Sequence, residues 1–390
     1  MTEAMLIAAC RTPIGKFQGS LASLSATELG AIAVRAAIER AKLKPEQIHE
    51  VILGNVISAG VGQAPARQAA LKAGLPPTVA ALTVNKVCGS GLKAVMLAAQ
   101  AIRAGDAHAI VAGGMESMSR APYLLERSGA ALGDRQLFDA MLRDGLTCPF
   151  SGDSMGQIAE ALARSDGLTR EQQDQFACES HRRAIEATER GFFACETVPV
   201  TIATRSGETV VSRDEGPRTD TTLERLAQLK PVFDRDGTIT AGNASMISDG
   251  ASAVVVVSRT FLQLHHLTPL ARIMAYATSG TEPRDLFIAP VAAITLAIER
   301  AGLKLRDVDL FEINEAFAAQ MLACVQRLQL PMEKVNVHGG AIALGHPIGA
   351  SGARVLATLL HTLIQRDLRR GVAALCLGGG NAVAMVIERP

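Results

Sequence analysis

The chain has 390 residues, 48% hydrophobic and 20% charged, with 39 Lys plus Arg against 38 Asp plus Glu and a formal net charge of +1. A balance so near zero excludes bulk attraction to nucleic acid or an anionic membrane surface. An aromatic content of 3% with no Trp leaves little from which to build base-stacking platforms. At roughly 150 residues per domain the length allows two or three domains and a core that needs no covalent staples. Seven cysteines, at 10, 88, 148, 178, 195, 324 and 376, form no C-x-x-C pair, so neither a zinc site nor a dithiol redox centre is expected. An odd number of thiols fits a reducing compartment. No basic leader precedes the first strand, and the most apolar stretch, residues 371–387, is broken by four Gly and an Asn. The chain reads as a soluble cytoplasmic protein.

In chain order, Leu6-Ile-Ala-Ala9 reads as a strand, and Ser25-x-x-Glu28 as a capping box opening a helix that runs to about Leu43. Strands are expected at 50–54, 82–85 and 109–113, with a helix over 92–104 after the turn Cys88-Gly-Ser-Gly91. Residues from about 119 to 243 are more charged and richer in turns, with a capped helix at Thr169-x-x-Gln172, and read as an inserted layer. A buried strand resumes at 251–258. Helix 292–301, strand 308–313, helix 315–328, strand 335–337, helix 348–365 and strands 372–377 and 382–388 then close the chain. This is α/β grammar with parallel sheets. Gly89-Ser-Gly-Leu-Lys-Ala-Val followed by Ile110-Val-Ala-Gly-Gly resembles Gly349-Ala-Ser-Gly-Ala-Arg-Val followed by Leu375-Cys-Leu-Gly-Gly, which points to two related halves.

Four residues sit where such sheets collect ligands. Cys88 lies between a strand and a helix start, where free N–H groups and the helix dipole favour thiolate; it reads as a nucleophile or as a buried structural thiol. His346 precedes Pro347 at an expected helix start that would keep its imidazole neutral. The five glycines within residues 338–352 suggest close approach of a ligand. Cys376 ends a strand before Gly378-Gly-Gly380, beside backbone donors that could form an oxyanion hole. Asn314 stands at a strand–helix junction and could be a simple N-cap. Two thiols with one His suggest a nucleophile–base pair plus a second acid/base. No phosphate loop of the G-x-x-x-x-G-K type is present.

The motifs Arg11-Thr-Pro-Ile-Gly15, Asn85-Lys-Val-Cys-Gly-Ser-Gly-Leu-Lys93, Gly113-Gly-Met-Glu-Ser-Met118, Gly242-Asn-Ala-Ser245, Asn314-Glu-Ala-Phe317, Gly339-Gly-Ala-Ile-Ala-Leu-Gly-His-Pro-Ile-Gly349 and Cys376-Leu-Gly-Gly-Gly380 occur in this order along essentially the whole chain. With them the chain resembles the thiolase family, and most closely its acetyl-CoA acetyltransferase branch. The resemblance implies an α/β, thiolase-like fold of two related halves in five layers (α-β-α-β-α). Residues 1–118 with 244–268 would form the first half, 119–243 an inserted loop domain for CoA binding and oligomerisation, and 269–390 the second half. It implies a reversible Claisen condensation of two acetyl-CoA to acetoacetyl-CoA and CoA by a ping-pong mechanism. Cys88 would be acylated with His346 as its base, Cys376 would act on the α-proton, and Asn314 would hold a water at the enolate. The backbone N–H groups of Cys88 and Gly378 would form the oxyanion hole. Ser245 and Leu146, and less firmly Arg225 and Lys230, would contact CoA, which is substrate and not cofactor. Met155 and Leu286 would line the acyl pocket. The partners implied are acyl-CoA and further copies of the chain, as a homotetramer joined through a loop within 120–145 or a homodimer. No metal, membrane or nucleic acid is implied.

The chain departs from the short-chain pattern at Ser154, where a His is common before Met-Gly, and in Glu282-Pro-Arg-Asp-Leu-Phe-Ile-Ala-Pro290, which replaces the commoner loop over the acyl pocket. These leave open a degradative 3-ketoacyl-CoA thiolase of broader chain length. Cys376 argues against a carrier-loading condensing enzyme, which uses one Cys with His-His or His-Asn. The four site residues together argue against a non-catalytic, thiolase-like lipid carrier.

Overall fold

The computed structural model describes residues 2–127, 132, 134–204 and 207–390. Strand β1 (Ala4–Arg11) is buried at every position, as its apolar run requires. Helix α1 (Ala26–Arg40) opens on the expected capping box, the Ser25 hydroxyl accepting from the Glu28 N–H and the Glu28 carboxylate from the Ser25 N–H. Strand β2 (Glu50–Gly54) is followed by α2 (Pro65–Lys72), a helix the sequence reading omits. It starts with proline and buries Ala66, Ala69 and Ala70. Then come β3 (Ala80–Val84), α3 (Ser90–Ala104) and β4 (Ala109–Ser117). The inserted segment carries α4 (Met155–Ser165) and α5 (Arg170–Glu189), each opened by a capping box, Ser154 with Gln157 and Thr169 with Gln172. The body resumes with β5 (Ser248–Ser258), β6 (Ala271–Gly280), α6 (Ala289–Arg300), β7 (Leu310–Ile313), α7 (Ala318–Leu328), α8 (Ser351–Gln365), β8 (Arg370–Leu377) and β9 (Asn381–Glu388).

Nine strands lie side by side in the order β7-β8-β9-β6-β1-β5-β4-β2-β3. From its outer edge inward the first half reads β3, β2, β4 in parallel, then β5 and β1 antiparallel. The second half repeats this: Val335 bridges β7 in parallel, β7 and β8 are parallel, and β9 and β6 are antiparallel. Two antiparallel pairs, Met5 with Arg272 and Leu6 with Ala271, join the halves. The sheets are therefore mixed and not parallel, because β8 turns straight back into β9 through Gly378–Gly380 and β5 returns beside β4.

The expected strand 335–337 shrinks to that single bridge. Asn336, at φ 44°, spends its side chain on both backbone groups of Ile313, accepting from its N–H and donating to its carbonyl at 2.8 Å each, where a strand would have continued the ladder.

Helix α1 covers the outer face of the first sheet, with α2 against it; α6 covers that of the second; α3 and α8 pack together between the sheets. Helix α8 is buried on nearly all sides, its polar stripe Ser351, Arg354, Thr358 and Thr362 included, with Arg354 bonded to buried Glu312 at 3.1 Å. Val355, Leu356, Leu359, Leu360 and Leu363 are each at most 1% exposed and contribute about 1.5–3 kcal/mol apiece. Close approach of the two central helices needs residues without a Cβ. A Cβ on Gly91 would lie 2.8 Å from the Ala353 nitrogen, and one on Gly352 would collide with the Leu92 nitrogen.

The inserted segment is tied to β1 by a buried ionic clamp. Arg11 Nε bonds Glu196 at 2.6 Å, and its two terminal nitrogens bond Asp214 at 2.6 and 2.9 Å. This gives Arg11-Thr-Pro-Ile-Gly15 a structural task. Of the expected assembly loop at 120–145, residues 128–131 and 133 lie outside the described residues; the flanks pair as Tyr123–Leu124 with Phe138–Asp139.

Candidate active site

Cys88 stands on a turn built by its own neighbours. The Asn85 side chain accepts from the Val87 N–H at 3.0 Å, and Ser90 Oγ accepts from the Lys86 N–H at 2.8 Å and donates to the Val87 carbonyl at 2.7 Å. These bonds hold Val87 at φ 46°, a conformation costly for a β-branched residue. The helix N-cap is Gly89, so Cys88 lies two positions before α3. The backbone N–H groups of Cys88 and Gly378 both face its sulfur. They do not make it a thiolate: burial in apolar surroundings outweighs them and pushes the thiol up to about 12, with Glu116 adding to the rise. The expectation of a thiolate favoured by the helix end is corrected accordingly.

His346 lies five residues before α8, in a turn and not at a helix start. Its backbone N–H donates to the Met246 carbonyl at 3.0 Å and to Ser248 Oγ at 3.2 Å, from the segment that leads into β5 and bridges His346 through Ile247. Its Nδ1 lies 2.6 Å from Ser351 Oγ, while Nε2 is buried with no partner among the described residues. Burial, then Arg354, lowers its pKa to about 3, so the ring is neutral; desolvation does what a helix end was expected to do. One bond from outside fixes the following turn: Glu116 accepts from the Gly349 N–H at 2.9 Å, and is itself held by the N–H groups of Val56 and Ile57 at 3.0 and 3.2 Å. The surrounding glycines serve protein packing more than ligand approach. Gly345 (φ 110°) would collide with Ser248, Gly349 meets Glu116 and Gly340 meets Glu315.

Cys376 lies in β8 one residue from its end and is buried against Leu286, Phe287, Ala316 and Phe317. Burial holds its thiol far above the ordinary range, and the nearby Cys88 and Cys324 raise it further. Asn314 follows β7 and is fully buried, with no partner among the described residues on either atom of its amide. It is not an N-cap, because α7 starts four residues later behind Phe317. Two bare polar atoms in such a place suit a bound water, and Asn314 itself is not among the residues that line the cleft shared by Cys88, His346 and Cys376.

Cys88, His346, Cys376 and Gly378 open onto one cleft of ≈ 430 Å³, with Ser245, Leu146, Met155 and Leu286 in its walls. Sequence reasoning did not single out Phe287 and Phe233, which close round the cleft with Phe317. A hint lay in Gly156, where any Cβ would collide with the Phe233 ring. Ser154 also reaches the cleft but is spent on capping α4. Arg225 and Lys230 are not among the wall residues; Arg225 is engaged by Asp220 in an exposed ion pair. A thiol beside a neutral imidazole, a second thiol and two N–H groups in an apolar cleft can form and break thioesters.

Residues 4–260 match the family described as "Thiolase, N-terminal domain" and residues 267–389 that described as "Thiolase, C-terminal domain". An acetyl-CoA acetyltransferase of Escherichia coli (strain K12) is 56% identical over 392 residues, covering 100% of both chains. That of Cupriavidus necator is 53% identical with the same coverage. Among solved structures, the Bacillus anthracis acetyl-CoA acetyltransferase has a TM-score of 0.98 at 43% identity, and human mitochondrial 3-ketoacyl-CoA thiolase one of 0.97 at 42%. Each covers 100% of this chain and 99% of its own. With both halves of the family matched along the chain and its relatives named as acetyltransferases, the protein is an acyltransferase and belongs to the thiolase family.

Proposed function

We propose that the enzyme condenses two acetyl-CoA reversibly to acetoacetyl-CoA and CoA through an acyl-Cys88 intermediate. The observation that supports this most is the single apolar cleft onto which Cys88, His346 and Cys376 all open. In the first half-reaction the Cys88 sulfur attacks the thioester carbonyl while its proton passes to His346 Nε2. The oxyanion rests on the N–H groups of Cys88 and Gly378, a stabilisation worth about 10²–10³-fold per donor. CoA leaves with the proton of Cys376. In the second, the Cys376 thiolate takes an α-proton from the next acetyl-CoA. The enolate oxygen is held by the Nε2–H of His346 and a water on Asn314. The α-carbon attacks the acyl group, and the departing Cys88 sulfur recovers its proton from His346.

Ser245 and Leu146 would contact the pantetheine arm, and Met155 and Leu286 the acyl group. Arg225 and Lys230 are left for the nucleotide, outside the cleft walls. The same reading divides the chain at 118/119, 243/244 and 268/269, has the enzyme assemble as a homotetramer joined through the loop within 120–145 or as a homodimer, and puts it in the cytoplasm. Among the described residues no helix is long and apolar enough to cross a membrane.

Initial thiolysis rates on 3-ketoacyl-CoA of four, six, eight, twelve and sixteen carbons test the proposal. A sharp preference for four carbons is expected, because buried Leu286 and Phe287 close the acyl end. Rates that stay level or rise with length would instead favour the degradative reading, for which the human 3-ketoacyl-CoA thiolase supplies a structural parallel.

A further inference from the structure

His346 can serve Cys88 as a base only if Nε2 carries a lone pair, and the other side of the ring decides that. Its only ring partner among the described residues is Ser351 Oγ, 2.6 Å from Nδ1, and that oxygen also lies 2.9 Å from the Pro347 carbonyl oxygen. A hydroxyl has one hydrogen. Directed at the carbonyl, which can only accept, it leaves Ser351 Oγ an acceptor toward Nδ1. Two lone pairs would repel at 2.6 Å, so Nδ1 must supply the hydrogen. With the hydroxyl reversed toward Nδ1, the ring proton would sit on Nε2 and the base would be blocked. Ser351 is fully buried in the first turn of α8, so no bulk water competes for either bond. The backbone beside the ring is already fixed through Met246, Ser248 and Glu116. What remains free is the ring's own rotation and tautomer, and Ser351 is the group placed to settle both.

We infer that Ser351 is a positioning residue for the acylation step, holding His346 with its proton on Nδ1 so that Nε2 can receive the proton of Cys88. This rests on the proposed role of His346 and adds the group that prepares it.

The test is ¹⁵N-histidine NMR on the full-length enzyme, with the His346 signals identified by their loss in His346→Asn. It is paired with single-turnover CoA release from acetyl-CoA. The wild type should show a protonated Nδ1 and a bare Nε2. Ser351→Ala should show mixed tautomers and acylate Cys88 more slowly by on the order of 10²-fold, with KM changed less than about twofold and a thermal unfolding transition that is lowered but still cooperative. Ser351→Thr keeps the hydroxyl and should restore the tautomer and most of the rate. A proton on Nε2 in the wild type, or a Ser351→Ala variant that acylates at the wild-type rate, overturns the inference. If no Cys88 adduct forms even in the wild type, the proposed reaction fails, and the tautomer measurement still decides whether Ser351 sets the ring.

Discussion

Ahead of α3 the chain makes a short turn, strained at Val87, and presents a thiol; ahead of α8, at the matching place in the second half, it makes a longer turn and presents an imidazole. The first turn is held by residues within five positions of one another, Asn85, Lys86, Val87 and Ser90. The second is held from the other half, by Met246, Ser248 and Glu116. The repeated architecture supplies proximity, because α3 and α8 touch through glycines near their starts. The unequal side chains supply the chemistry.

The sharpest way to break this comparison is to remove one thiol at a time. Cys88→Ala should abolish the acyl adduct and lower thiolysis by on the order of 10⁴-fold or more. Cys376→Ala should still form the adduct on Cys88, seen by intact-protein mass spectrometry, while condensation falls by about 10²–10⁴-fold. An adduct lost in both variants would mean that the two thiols do not divide the labour.

Next in size is the clamp that ties the first strand to the inserted segment. Arg11→Met leaves Glu196 and Asp214 buried without their cation and should cost about 3–5 kcal/mol in denaturant unfolding. A cost under 1 kcal/mol would show that the segment is held elsewhere.

The difference between the turns also explains what could be read in advance. The Ser25, Thr169 and Cys88 turns depend on residues a few positions apart, and the sequence marks them. The bonds holding His346 and the Gly349 turn beside it span from five to more than two hundred residues, and no local pattern announces them. Asn314 could pass for a helix cap because only the folded chain shows its amide bare. Strand β6 was missed although its burial alternates along Ala271–Ala277, the period of a half-covered strand. Residues 335–337 have the composition of a strand and lose the ladder to one Asn side chain. The glycines round His346 pointed to close contact correctly, but with protein.

The contact that brings the turns together can be sharpened with Gly352→Ala. The added Cβ meets the Leu92 nitrogen, and overpacking there should cost about 1–3 kcal/mol. Because the strain parts α3 from α8, acylation of Cys88 should slow more than binding weakens. A KM that rises with an unchanged acylation rate would place the effect outside this contact.

Acid pushes on the two sides in opposite directions. Glu116, from the first half, is raised by burial to about 7, so between pH 7 and its ordinary 4.5 the folded protein holds a proton that the unfolded chain lacks, and stability rises on acidification. His346 is lowered to about 3 from 6.5, so as pH falls from 6.5 the unfolded chain gains a proton that the fold refuses, and stability is lost. Comparing wild type with His346→Asn cancels the other groups. The variant should gain on the wild type by about 1.4 kcal/mol per pH unit between pH 6 and 4 in urea unfolding. A difference independent of pH, or one of opposite sign, would mean that the imidazole is already charged inside the fold. Cys88 and His346 would then rest as an ion pair, not as the neutral thiol and base from which the first half-reaction starts.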